Sequence, residues 1–457
     1  MNAEEAHPAS AAPAKPVISL DRHSSRYRLE FEQFADEFTT KCPVAWNDTH
    51  GGYWFAGGNK EVFDLARRAD LLSNDRDVTR TKRGYRGISI PGAPLDTPTR
   101  GGFLEMDPPE QRHYRQALNP YLSPAAVARW NTVTDELTRA CLDEVIESGR
   151  IDFVDDLANI VPAVLTMAML GLDLKDWDIY CEPAHASVYT SPDSPDHARI
   201  MALQIRMGEH MMKSIYEIRE TRRPGLINEL VSCEINGQRP DDLEILGVIM
   251  LLIGGGFDTT TALTAHSLEW LSDHPADRER LSRERATLLD SATEEFLRFY
   301  TPAVGDGRTI NQDCVVNGTE FKEGDRLWLS WAFANRDEKV FPDPHHVHLD
   351  RTGNRHSSFG LGIHRCIGSN VARATFKSML TAVLDRMPDF VTDSSAAVHY
   401  DTVGVINGMK RLPATFTPGK RLGPGLEETI ATVQRQWDEG RLGEPITRTP
   451  RADQEAS

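Results

Sequence analysis

Three short stretches of this 457-residue chain carry residue types that could do chemistry together. The first, Phe359-Gly-Leu-Gly-Ile-His-Arg-Cys-Ile-Gly368, sets one cysteine in a glycine-rich, otherwise apolar decapeptide. From Ser369 onward the sequence reads as a helix, so Cys366 lies just before its N-terminus, where free N–H groups and the helix dipole favour a thiolate able to ligate metal. The glycines let this backbone pass close to a flat partner. The second stretch, Gly254-Gly-Gly-Phe-Asp-Thr-Thr-Thr261, puts an acid and three hydroxyls beside three glycines inside a helical pattern. Each glycine there costs about 1 kcal/mol relative to alanine, which points to a helix opened beside a cofactor or small ligand, with Asp258 and Thr259 handling protons. Close helix packing, with the threonine hydroxyls bonded back to carbonyls, is the purely structural alternative. The third, Glu295-Phe-Leu-Arg298, places an acid and a base on one helix face; alone, that spacing describes an ordinary surface ion pair.

The elements that must position these residues are mainly helical. Asp241 follows Pro240 and precedes Glu244 by three, a capping-box-like start, and helical patterning runs 33 residues to Asp273 before His274-Pro275 stops it. Its first half, ILGVIMLLI, is apolar on every face, as a helix buried on all sides requires. Ser291-Ala-Thr-Glu294 reads as a second capping box, opening a short helix that Thr301-Pro302 ends. Strand candidates are few: Gly52-Tyr-Trp-Phe55, Cys314-Val-Val316 with the Asn317-Gly318 turn, Asp325-Arg-Leu-Trp-Leu329 and Leu412-Pro-Ala-Thr-Phe416. Residues 335–359, rich in Pro, His, Asp and Gly, form a long ordered loop that delivers the cysteine stretch. Beyond Phe416, Leu426, Ile430, Val433 and Trp437 fall on one face of a short helix.

Composition narrows the class. The formal charge is −17 with the acids dispersed, which argues against nucleic acid or an anionic membrane as the main partner. Six cysteines without a CxxC pair suit a reducing compartment, and the cytoplasm is the expected location. The most apolar run, Ile245 to Ile253, is too short for a membrane span, and the Ala/Pro/Glu-rich start is no signal peptide. The expected organisation is a disordered tail over 1–22, one domain over 23–417 and an extension of unassigned role over 418–457.

Taken together and in this order, the three motifs resemble the signature set of the cytochrome P450 family, the haem-thiolate monooxygenases, over roughly residues 25 to 417. The cysteine loop agrees at Phe359, Gly360, Gly362, His364, Cys366 and Gly368; GGFDTT agrees with the oxygen-activating motif; Glu295 and Arg298 agree with ExxR. The resemblance implies the family's mainly α fold, a helical bundle with a long central helix and small peripheral β-sheets. It implies haem b (iron protoporphyrin IX) with Cys366 as axial ligand, and an acid–alcohol pair, Asp258 and Thr259, that delivers protons during dioxygen activation. It implies a structural ion pair, Glu295 and Arg298, closed by Arg351. Gln111, Arg115, Arg308 and His364 correspond to the family's propionate contacts. Two departures stand out: many relatives have histidine where Gln111 stands, and Phe-Asp where Val347-His348 stands.

The implied reaction is hydroxylation of a small apolar substrate with dioxygen and two electrons delivered singly. The chain has no room for a flavin or iron–sulfur domain, so a ferredoxin and ferredoxin reductase are the expected donors, docking near Arg365, Arg373, Lys377 and Arg112. Substrate contacts are expected from Tyr85, Ile88 and Ile90, from Leu252, Gly255 and Gly256, from Ala303 and Val304, and from Val405 and Ile406. Three other readings compete. A zinc site built from His345, His346, His348, His356, His364 and Cys366 leaves the glycine–threonine helix unexplained. A non-catalytic haem carrier has no use for a proton relay, and peroxide-driven relatives typically lack the acid–alcohol pair.

Overall fold

A computed structural model describes residues 16–79, 81–92, 99–190, 194–235 and 237–442. The expected central helix forms as two segments in line. Asp241 caps the first, Asp242–Gly256, by accepting from the Glu244 N–H at 2.8 Å, and the second, Asp258–Asp273, follows at once. Phe257 separates them (φ −88°, ψ −75°), so the glycine-rich stretch opens the helix where its propensity is weakest. The Thr259 hydroxyl donates to Gly255 O at 2.9 Å across the break. By length and composition Asp242–Asp273 passes for a membrane span. It nonetheless runs through the core, packed against the Ile160–Leu170 and Ser369–Arg386 helices.

Residues 285–300 form a single helix, Arg285–Tyr300. The capping box expected at Ser291 does not form: the Ser291 hydroxyl donates back to Leu288 O and across to Leu349 O, because the preceding residues already continue the helix. Thr301, in the left-handed region at φ 41°, ends it as expected. The expected strands appear as Tyr53–Ala56, Arg326–Ser330, Pro413–Thr415 and the Cys314–Val316/Thr319–Phe321 hairpin. The largest sheet is six-stranded, and two of its central members are Gly305–Ile310 and Arg326–Ser330, paired antiparallel.

Both ends of the domain extend further than the sequence suggested. Residues 16–22 are part of the fold: Val17–Ile18 pairs in parallel with Trp46 and Asn47, and the buried Arg22 donates to Gly404 O and Ile90 O at 2.6 Å while its guanidinium lies 3.4 Å from the Trp328 ring centre. Residues 1–15 of the expected tail lie outside the described residues, as do 443–457 of the extension. The rest of the extension is docked. Leu426–Asp438 is a helix whose Ile430 and Val433 join the main hydrophobic core, with Trp437 also buried.

Candidate active site

The long loop is threaded around the buried ion pair. Arg298 Nε and Nη2 donate to the two Glu295 oxygens at 2.8 Å, and both side chains are fully buried. Arg351 Nε, Asn354 Nδ2 and the His348 N–H donate to the same carboxylate at 2.9–3.0 Å. Burial alone would raise the Glu295 carboxyl; the bonds and charge of Arg298, with His348 and Arg351, override it and hold the group below its ordinary value. Arg298 also donates to the Asn335 and Pro344 carbonyls, and Asn335 in turn binds Thr301, Ser357 and Ser358. The pair therefore fixes the path of the loop up to Phe359.

From there the cysteine loop closes on itself, the Cys366 N–H donating to Phe359 O at 2.7 Å. Gly362 (φ +71°) lies so close to Ala66 that a Cβ would stand 2.4 Å from its carbonyl oxygen. Cys366 is an exposed residue that lines a cavity. Burial pushes its thiol up, against the pull of the Gly368 N–H and of Arg115, Arg365 and Arg373. Coordination to a metal deprotonates such a thiol outright.

The cavity is lined by Cys366, His364, Gly360, Gly368, Phe359 and Arg115 from the cysteine side, by Leu252, Gly255, Gly256, Thr259 and Thr260 from the opened helix, and by Ala303. Sequence reasoning did not single out Phe103, Leu104, Pro162, Leu165, Thr166 or Met169, which complete an apolar wall. Pro162, Leu165, Thr166 and Met169 share the helical periodicity of ordinary core, and Phe103 and Leu104 lie in the short turn Gly102–Glu105, so no signal distinguished them. Some expected substrate contacts are not among the lining residues. Ile90 and Val304 pack in a separate cluster with Leu20, Tyr27 and Phe333, because Ile90 O anchors Arg22. Ile88 O accepts the Gly307 N–H, Tyr85 stands 5.0 Å from the Lys82 ammonium, Val405 is exposed, and Ile406 bridges to Ala303.

Three groups suited to an anion meet beside this cavity. Arg308 is buried, donates to the neighbouring Gly307 O at 2.7 Å and lies 4.0 Å from an Asp306 carboxylate oxygen. Arg115 donates to Arg365 O at 2.8 Å. His364 Nδ1 is buried without a partner, and burial together with the charges of Arg308 and Arg115 holds its imidazole down to about 3. Two guanidinium groups, a buried ring nitrogen without a partner, a thiol and glycines whose faces stay open are what a dianionic, flat, iron-bearing macrocycle needs, so the residues present fit haem. The Gln111 amide donates to Ile363 O at 2.8 Å, bracing the cysteine loop from outside the cavity lining.

Asp258 has partners that no motif announced. His185 Nδ1 and the Tyr400 hydroxyl each lie 2.6 Å from its Oδ1. The residues of the zinc alternative do not converge: His345 binds Asp36, His346 and His348 bind Asp343, and His356 binds Glu294. Among the described residues, the group close enough to share a metal is instead His266, Glu269 and His399. Of the expected docking cations, Arg373 is paired with Glu294 at 2.6 Å and Lys377 with Asp290, while Arg112 and Arg365 are exposed.

Comparison with known proteins agrees with this architecture. The family model described as Cytochrome P450 matches residues 91–388. The chain is 29% identical over 386 residues to a steroid C26-monooxygenase of Mycolicibacterium smegmatis, covering 81% of this chain and 95% of that one. It is 27% identical to linalool 8-monooxygenase of Pseudomonas putida, covering 82% and 93%. Its fold matches that of a Mycobacterium marinum cytochrome P450 solved with pseudoionone, with a TM-score of 0.80 at 23% identity over 89% of this chain and all of that one.

Proposed function

The chain belongs to the cytochrome P450 family and is a haem-thiolate monooxygenase that oxidises an organic substrate with dioxygen and externally supplied electrons; on that premise, we propose how its residues divide the work. Haem b, when bound, supplies the oxygen-activating chemistry, with a thiolate ligand pushing electron density toward iron. Cys366 would hold the iron. Arg308, Arg115 and His364 offer donors to the two propionates, and the charges of Arg308 and Arg115 both reach the His364 imidazole. Phe359, Gly360 and Gly368 give the loop its close approach, and Gln111 steadies it.

Thr259 holds a hydroxyl at the cavity wall and Asp258, next to it, holds the proton supply. Leu252, Gly255, Gly256 and Ala303, with Phe103, Leu165 and Met169, form the substrate side. These walls select apolar bodies of terpenoid, steroid or branched acyl type, in keeping with the substrates named for the relatives. A small acidic ferredoxin is the electron donor we favour, and the cytoplasm the location. The observation that carries this reading is that Cys366 and the opened Gly255–Thr259 stretch line one apolar cavity.

The test is reconstitution with ferredoxin, reductase and a panel of steroids, terpenoids and branched fatty acids under isotopically labelled dioxygen. The expected result is one labelled oxygen atom per product molecule, with Thr259→Ala releasing more hydrogen peroxide per electron pair. Turnover with peroxide alone and none with dioxygen would contradict it.

A further inference from the structure

His266, Glu269 and His399 stand apart from the residues lining the cavity, yet one donor atom from each lies within 4.8 Å of the other two. His266 and Glu269 are three apart on the Asp258–Asp273 helix and so share a face. His399 ends the short strand Val398–His399, and the pairing register shifts between those two residues; an irregularity of this kind re-aims a side chain. The Glu269 carboxylate divides between the two rings. Its Oε1 lies 2.9 Å from His399 Nε2 and its Oε2 3.7 Å from His266 Nδ1, the second too long for a hydrogen bond.

An ion pair would need only one of these histidines. His266 is buried and stacked on Tyr300 with ring centres 4.8 Å apart, and its ring centre lies 5.4 Å from that of His399. Burial, opposed by Glu269, holds its imidazole below the ordinary value, so it presents a neutral ring. Burial alone would raise the Glu269 carboxyl, but the two histidines hold it down to about 2, which leaves it an anion. Two imidazoles and a carboxylate are a recurrent donor set for zinc. Zinc–ligand bonds of about 2.0–2.2 Å in tetrahedral array put neighbouring donors roughly 3.3 Å apart, and the two spacings here fall on either side of that value. The far ring nitrogens, His266 Nε2 and His399 Nδ1, are buried with no partner. Neither ring is therefore committed to one tautomer from its far side, and each near nitrogen can give its lone pair to an ion. Arg28 opposes a cation, since its charge acts on both His266 and Glu269, but its guanidinium donates to Tyr400 O at 2.8 Å.

We propose that His266, Glu269 and His399 bind a divalent transition-metal ion, zinc by preference, at a site separate from that of the haem iron. The Glu269 and His399 side chains are 22% and 30% exposed, which gives an ion a path from solvent and leaves the fourth position to water. The role is structural. The ion joins the central helix to the segment that continues into Tyr400, whose hydroxyl donates to Asp258. Magnesium and calcium, which prefer oxygen ligands, do not suit a site with two imidazoles. The site stands whether or not Asp258 supplies protons.

The test is to incubate the haem-loaded enzyme with equimolar zinc sulfate, pass it through gel filtration and measure zinc and iron. The expected result is about one zinc per chain beside the haem iron, unchanged by excess magnesium. Glu269→Gln and His399→Ala should each lower retained zinc by more than the roughly tenfold that losing a supporting hydrogen bond costs. The His346→Ala/His348→Ala double variant, which removes the two rings bound to Asp343, should retain it. Zinc should also raise the thermal midpoint of the wild type and not that of the two site variants. X-ray absorption at the zinc edge of the wild type reads the ligands directly, with nitrogen and oxygen neighbours, imidazole scattering and no sulfur, and decides the matter even if a variant fails to load haem. A wild type that retains no zinc overturns the proposal. So does a sulfur neighbour, or zinc that persists in both site variants.

Discussion

At the residue scale, charge pairs decide how firmly the site is held. Glu295 accepts from Arg298, Arg351, Asn354 and the His348 N–H with no exposed surface. Removing one partner of such a buried pair typically costs about 3–5 kcal/mol. Glu295→Gln should therefore lower stability by that amount and reduce the haem bound per chain, as urea unfolding and haem-to-protein ratios would measure. Glu294 is a milder case. Burial would raise its carboxyl, but Arg373 and His356 hold it down to about 2 against an ordinary 4.5. A depressed acid stabilises the fold above its unfolded value, and that contribution is lost as pH falls from about 4.5 toward 2. Thermal melts across that window should show Glu294→Gln losing less stability on acidification than the wild type. Cys366, Asp258 and the Glu295–Arg298 pair were legible because their spacing along the chain is itself the signal. His185 and Tyr400 were not, since they reach Asp258 across 73 and 142 residues and each, read locally, is one more half-apolar side chain.

At the scale of elements, the C-terminal helix is a structural member of the domain. Its Trp437 is buried, with the Arg223 guanidinium 5.3 Å from the ring, and Gln434 accepts from the Leu174 N–H. The segment leading to it is held by Asp143, which accepts from Arg139, Arg386 and the Leu422 and Gly423 N–H groups. Trp437→Ala should cost about 3–5 kcal/mol, the range for emptying a large aromatic site, and truncation after residue 417 should cost more; equilibrium urea unfolding checks both. The amphipathic face of this helix was readable from its four apolar positions. The strand Gly305–Ile310 was not, because Gly-Asp-Gly reads as a turn. Its glycines serve close approach instead: a Cβ on Gly305 would stand 2.5 Å from Leu329 O, and one on Gly307 2.4 Å from Ile88 O. The false start at Ser291 has a similar cause, since a hydroxyl inside a helix can bond back to a carbonyl as readily as cap a new turn.

At the scale of the whole molecule, the proposal of an acidic ferredoxin as electron donor requires a chain of net charge −17 to present it a local cationic face. Arg112 and Arg365 remain exposed there, whereas Arg373 and Lys377 are already paired with Glu294 and Asp290. Charge reversal at Arg112 and Arg365 should slow reduction by ferredoxin and weaken its dependence on ionic strength, while reversal at Lys377 should do less; stopped-flow reduction at several salt concentrations would resolve the difference. The proposed function depends on one bond, that of Cys366 to haem iron. The direct measurement is the carbon monoxide difference spectrum of the reduced, haem-loaded protein. The structure predicts the red-shifted band of thiolate-ligated haem in the wild type and its loss in a folded, haem-loaded Cys366→His variant; a wild-type spectrum without that band would contradict the assignment.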